Sequence, residues 1–199
     1  MENTEDTTKI WQSPITIACL VASVKIFLYL LAGNNYGYFR DELYFLACAE
    51  HLAFGYPDHA PLSIFIAKIS TTIFGDSLYA IRFFPALAGA AKIVLTGLLA
   101  RELGGRWFAS LLACLCVLVA PAYLGIDFLL SMNVYEPLFW MGCAYFFIRA
   151  VKSGNSKYWL GFGVCAGLGL MNKHSIVFFG LAFVVGLLLT KERKFFLDK

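Results

Sequence analysis

Charge is scarce in this chain. Of its 199 residues only 15% are charged, against 60% that are hydrophobic, and mean hydropathy is +0.71. A soluble domain of this length cannot hide so much apolar surface in one core, so the balance reads as an integral membrane protein. Net charge is only +3, and no basic stripe with interleaved aromatics occurs, which argues against a nucleic-acid partner. A disulfide framework is not expected either. Cys19, Cys48, Cys114, Cys116, Cys143 and Cys165 lie mostly inside apolar runs, and Cys114-Leu115-Cys116 lacks the second half of a zinc or redox motif. The first residues, Met1 to Gln12, hold Glu2, Glu5 and Asp6 but no basic cluster, so Pro14 to Leu31 reads as a spanning helix rather than a cleaved signal. No internal repeat or low-complexity segment is present.

What fills the chain is apolar runs of spanning length. At about 17 to 25 residues per span, helices are predicted at 14–32, 79–101, 106–124, 130–150, 158–172 and 175–190. The expected fold is all-α, a polytopic membrane protein with about six transmembrane helices. Arg101 and Arg106, then Arg149, Lys152 and Lys157, then Lys191, Arg193 and Lys194 each follow an even-numbered helix. The positive-inside rule puts those ends and the N-terminus in the cytoplasm. The organisation expected is a cytoplasmic tail over 1–13, a transmembrane module over 14–190 and a basic cytoplasmic tail over 191–199. For the last pair the alternative is one long tilted helix interrupted at Asn172-Lys173-His174. Two short helices meeting at Lys173 keep the basic cluster inside.

On this topology the outer face receives the loop 33–77, the connection 121–131 and the turn 172–175. The first is too long and apolar for a tether. Leu43, Leu46 and Ala47, then Ile64, Ala67 and Ile69 with Ile73 nearby, suggest two helices lying along the membrane surface, with Gly55 to Pro61 as the elbow between them. Asp41, Glu42, Asp58, His59, Asp127, Lys173 and His174 then share one side, with Asn133 and Glu136 just inside it. A charged Glu136 facing lipid costs on the order of 2.5 to 3.5 kcal/mol, so it is expected to face a polar cavity or a cation. Lys25 and Lys92 are read as snorkelling or pairing within the bundle. Asp41 has two readings that stay open: N-cap of an interfacial helix running from Glu42 to Phe54, or a functional acid.

Acids and bases gathered beside lipid suit group transfer from a lipid carrier. In glycosyl transfer from a polyprenyl phosphate sugar the leaving group is already a phosphate and departs without a general acid. One carboxylate acting as base on the acceptor hydroxyl is then enough. Positive charge on the departing phosphate would come from Lys173, Arg82 or Lys68. No cofactor is expected, and no metal, because Asp41 and Glu42 lack further ligand spacing.

The Asp41-Glu42 pair, Gly55-Tyr56-Pro57-Asp58-His59-Ala60-Pro61-Leu62, Phe74-Gly75-Asp76-Ser77 with Ala80-Ile81-Arg82 and Pro85, Ala100-Arg101-Glu102-Leu103-Gly104-Gly105, and Met171-Asn172-Lys173 carry a family likeness. Together they resemble bacterial members of the protein O-mannosyltransferase and aminoarabinose transferase group, the multispanning enzymes of glycosyltransferase family 39. The resemblance implies a GT-C type fold and inverting transfer of a sugar from a polyprenyl phosphate donor to a lipid, glycan or protein acceptor. The reaction would occur on the outer face of the inner (cell) membrane. It makes Asp41 the catalytic acid-base, with Glu42 in support and Lys173 near the donor phosphate. Asp58, His59, Asp127, Asn133, Glu136 and His174 would line the substrate cavity.

Two departures stand out. Ala60 replaces the first proline of a common Pro-Pro pair, and Asn133 stands where relatives often place an aspartate, leaving Glu136 or Asp127 as substitutes. Family members carry more helices, so the likeness is to an N-terminal half. A second chain with the other half would be a partner, and the isolated chain would show no transfer. The competing readings are a truncated or assembly-dependent subunit of the same fold, and a small transporter, which predicts inverted repeats and polar groups near the bilayer midplane.

Overall fold

A computed structural model describes residues 13–190 and residue 193. The tail 1–12 and the basic residues Lys191 and Lys194 lie outside the described residues. The described part is helical, with α1 Pro14–Ala32, α2 Arg40–Glu50, α3 Leu62–Phe74, α4 Leu78–Glu102, α5 Trp107–Val119, α6 Pro121–Ile126, α7 Met132–Ser153, α8 Lys157–Asn172 and α9 Ile176–Leu188. No strand occurs among the described residues.

By length and apolar composition, α1 and α4 are each sufficient to cross a membrane, while α3, α5 and α9 are apolar but shorter. Phe27, Leu30 and Leu31 on α1 are more than half exposed, as a surface covered by lipid requires. The helix expected at 106–124 is broken. Ala120 turns extended (ψ 121) and Pro121 starts α6, because proline cannot accept a place inside the preceding helix without losing a backbone bond. The last pair is two helices, as preferred, and the chain doubles back between them: the rings of Phe162 on α8 and Phe183 on α9 are 5.4 Å apart.

The centre is α4, which packs on α1, α3, α5 and α7. Small residues make this possible. A Cβ at Gly97 would lie 2.5 Å from Ala18 Cβ of α1 and 3.2 Å from Cys114 Sγ of α5, so the three backbones approach as closely as glycine allows. Ile17, Ala18, Val21, Ile93, Cys114 and Leu118 form the core there. Ser77 caps α4, its side chain accepting from Ala80 N–H at 3.2 Å.

Two helices do lie in the 33–77 loop, on either side of the Gly55–Pro61 elbow. In α2 the buried residues are Glu42, Phe45 and Ala49, with Leu43 exposed. In α3 they are Ser63, Ile64, Ala67 and Ser70, with Ile69 and Ile73 turned outward.

Candidate active site

Glu42 faces inward because Arg82 of α4 meets it. The guanidinium binds the carboxylate with both prongs, Nη2 to Oε2 at 2.7 Å and Nε to Oε1 at 2.8 Å, and both side chains are buried. The same carboxylate accepts from the N–H groups of Phe39 (2.9 Å) and Leu130 (3.0 Å). Arg82 also donates to the carbonyls of Gly33, Tyr36 and Gly37 at 2.9 to 3.2 Å. All five of its N–H groups are thus engaged, leaving none for the donor phosphate it was expected to bind. This pair ties the loop after α1, the start of α2 and the connection before α7 to one point on α4.

Asp41 is left outside that network. Its side chain is 48% exposed, and its polar partner among the described residues is Arg40 at 3.1 Å, itself 89% exposed. Nor is Asp41 the N-cap. Phe39 takes that position, and it is Glu42, in the first turn, that satisfies the Phe39 N–H. The helix also ends at Glu50 rather than Phe54.

One turn along α2, the Tyr44 hydroxyl donates to Asp58 Oδ2 at 2.9 Å. That bond holds the phenol proton, and pushes the Tyr44 pKa up to about 12. Asp58 is exposed, whereas neighbouring His59 is buried, stacked on Phe45 (4.9 Å between centroids) and flanked by Tyr44 and Tyr56. His59 Nδ1 lies 3.3 Å from the Ala60 carbonyl, and its Nε2 has no hydrogen-bond partner among the described residues.

At the turn between α8 and α9, Lys173 reaches back to α7. Its Nζ donates to Glu136 Oε2 at 2.8 Å and to Asn133 Oδ1 at 2.9 Å. Ser175 donates to the other Glu136 oxygen, and Asn172 to the Met132 carbonyl at 2.8 Å. Glu136 therefore meets a cation, as its place in α7 demanded. His174 is exposed, and Lys68 is half-buried on α3 with no ion pair among the described residues.

Asp127 departs most from expectation. It is 1% exposed and folds inward between two helices, with Oδ2 2.9 Å from Lys25 of α1 and Oδ1 bonded to Lys92 of α4. Lys25 also donates to the Tyr123 carbonyl at 3.1 Å. Its ammonium lies over the Phe128 ring at 5.1 Å, and that of Lys92 over Tyr123 at 4.7 Å. The lysines pair within the bundle as expected, but their partner was assigned to the substrate cavity. Lysines in two apolar helices and one aspartate in the later connection after α5 are the available signal.

A cavity of about 410 Å³ lies between the loop after α1 and the inward-folded connection. Tyr36, Tyr38 and Phe39 form one wall, Leu124, Phe128 and Leu129 the other, and Arg82 also lines it. Among the described residues, no three His, Cys, Asp or Glu side chains come together as a metal site would require.

Residues 58–199 match the family model described as dolichyl-phosphate-mannose-protein mannosyltransferase. The matched segment begins at Asp58, beyond Asp41 and Glu42. No curated protein and no solved structure matches the chain. With apolar helices of spanning length and a family match over most of its residues, the chain belongs to the dolichyl-phosphate-mannose-protein mannosyltransferase family and is a membrane protein of the glycosyltransferase class.

Proposed function

We propose that the protein transfers a sugar from a polyprenyl phosphate donor to an acceptor hydroxyl on the outer face of the cell membrane, with Asp41 as the base. The carrying observation is the division of labour within the acidic pair. Glu42 is closed off by Arg82 and two backbone N–H groups, while Asp41 stands half-exposed at the start of α2, with a solvated arginine as its ion-pair partner among the described residues. Asp41 takes the proton of the acceptor hydroxyl as that oxygen forms its bond to the anomeric carbon. The carbon–oxygen bond to the phosphate breaks on the opposite side, and the phosphate leaves with the electron pair, inverting the configuration. Lys173 has three N–H donors and uses two on Glu136 and Asn133, so one remains for the departing phosphate. The mostly apolar cavity beside Arg82 suits the isoprenoid part of the donor. Glu42 and Arg82 are assigned to holding the loops, not to the reaction.

A transporter would place charge in mid-bundle, and Lys25, Asp127 and Lys92 do lie there. Those charges are closed on one another at 1% exposure or less, which favours a fixed role over passage of a substrate.

The test uses membranes from cells that lack the chromosomal copy and carry either the parent protein or Asp41→Asn, so any natural partner is present. Transfer from a radiolabelled polyprenyl phosphate sugar is expected to fall by ~10² to 10⁴-fold in the variant at equal protein level, because asparagine cannot accept the proton. Since Phe39 and not Asp41 caps α2, the substitution leaves the helix intact. A rate within about twofold of the parent would remove Asp41 from the mechanism.

A further inference from the structure

The two walls of the cavity beside Arg82 are each fastened by a separate buried charge cluster. The wall containing Tyr36, Tyr38 and Phe39 hangs from Arg82 through the carbonyls of Gly33, Tyr36 and Gly37. The opposite wall belongs to the connection after α5, where Leu124, Phe128 and Leu129 face the cavity and Tyr123 and Asp127 meet Lys25 and Lys92. Helix α6 in that connection is only six residues long. A helix so short does not hold itself together. Every strong restraint on this wall is therefore external. The far end is tied by Leu130 N–H to Glu42, and the middle by the Asp127 cluster.

We infer that Lys25, Lys92 and Asp127 are positioning residues that hold the 121–129 wall in register with the 36–39 wall, so that the cavity exists as a formed binding site before any ligand arrives. The inference rests on the reading of the cavity as part of the donor site only for what the ligand is. The positioning itself is a statement about the fold. Two ammonium groups converge on one carboxylate, each backed by an aromatic ring from the wall, and this geometry gives direction that apolar packing would not. Buried ion clusters of this kind add little net stability relative to apolar side chains of similar size, and what they contribute here is location.

The consequence separates fold from position. Replacing the whole cluster by apolar residues, Lys25→Met, Lys92→Met and Asp127→Leu together, removes the costly charges and leaves the helices able to pack, but the wall loses its anchor. Asp127→Asn alone leaves two lysines without a counter-charge and tests the same point with the wall sequence nearly unchanged.

The experiment places spin labels at Gly125→Cys and Tyr36→Cys, one on each wall, in the full chain freed of its natural cysteines, and measures their distance distribution in lipid nanodiscs. A Cβ at Gly125 meets nothing within 4 Å, and Tyr36 is 80% exposed, so both cysteines are accommodated; because both positions line the cavity, ligand binding is measured on the unlabelled chains. The parent is expected to give one narrow distance, and the triple variant a broad or displaced one at unchanged helix content. A triple variant that folds and keeps the parent distance overturns the inference, as does a parent that is already broad. Should the triple variant not insert, Asp127→Asn decides by the same distance readout. Undecaprenyl phosphate binding is measured in parallel and is expected to weaken by about tenfold or more in the variants. A changed distance with no binding even by the parent would sink the donor-site reading and leave the positioning role standing.

Discussion

Arg82 and Glu42, forty residues apart in the chain, form a two-pronged ion pair at 2.7 and 2.8 Å with both side chains essentially removed from solvent. Because every acceptor and donor of the pair is used, removing one partner strands the other. Glu42→Gln and Arg82→Met are each expected to destabilise the protein by about 3 to 5 kcal/mol, with the double variant costing much less than the sum. Thermal unfolding in detergent measures both. A single-variant cost below about 1 kcal/mol would mean that the pair behaves like a solvated surface bridge.

Gly89 of α4 gives a steric test of the same region. A Cβ there would lie 2.7 Å from Asp127 Oδ2 and 2.9 Å from its Cγ, and that carboxylate cannot move freely because two lysines hold it. Gly89→Ala is expected to cost about 1 to 3 kcal/mol. Gly125→Ala, where a Cβ meets nothing within 4 Å, should change stability by less than about 0.5 kcal/mol. Equal effects at the two positions would show that Asp127 yields easily.

The apolar runs were long enough to reveal the helices at 14–32, 79–101, 130–150 and 158–172, and the break at Lys173, because hydrophobic length and basic flanks are local properties. Pro121 is visible too, but the run 106–124 is continuous in hydropathy, and only the backbone rule separates α5 from α6. The inward turn of Glu42 is illegible for a different reason. The spacing of Leu43, Leu46 and Ala47 marks a helix, but it is a buried partner forty residues away that turns Glu42 inward and leaves Leu43 exposed. Ion pairing between distant residues leaves no periodic trace. For the same reason Asp127 reads as an outer-face acid of the substrate cavity, although it closes the Lys25–Lys92 cluster.

Tyr44 supplies a pH test outside the spanning helices. Its pKa rises from 10.0 to about 12, chiefly because its hydroxyl proton is held by Asp58. A raised pKa favours the neutral phenol, so the bond contributes at pH below 10 and is lost as pH climbs through about 12. The difference in tyrosinate absorbance between the parent and Tyr44→Phe is expected to show one phenol titrating near 12. In Asp58→Ala that step should move down toward 10. A step already near 10 in the parent would show that the Tyr44–Asp58 bond does not form in solution.

The proposed topology makes a prediction at both ends of α7. At one end, Arg149 pairs with Glu102 at 2.8 Å and Lys152 reaches the Glu102 carbonyl, joining the ends of α4 and α7. At the other, Asn172 binds Met132 and Lys173 binds Glu136, while Leu130 N–H meets Glu42. The helix between them has 22 residues, or about 33 Å at 1.5 Å per residue, which matches the apolar thickness of a bilayer. On the proposed topology the two clusters lie on opposite sides of the membrane, with the basic one in the cytoplasm. Single cysteines introduced by Asp58→Cys and Lys173→Cys in a cysteine-free background are expected to react with an impermeant thiol reagent from outside intact cells. Those introduced by Arg101→Cys and Lys152→Cys should react only after the membrane is opened. Modification at position 173 from the cytoplasmic side alone would remove Lys173 from the outer face and, with it, the proposed contact to the departing phosphate.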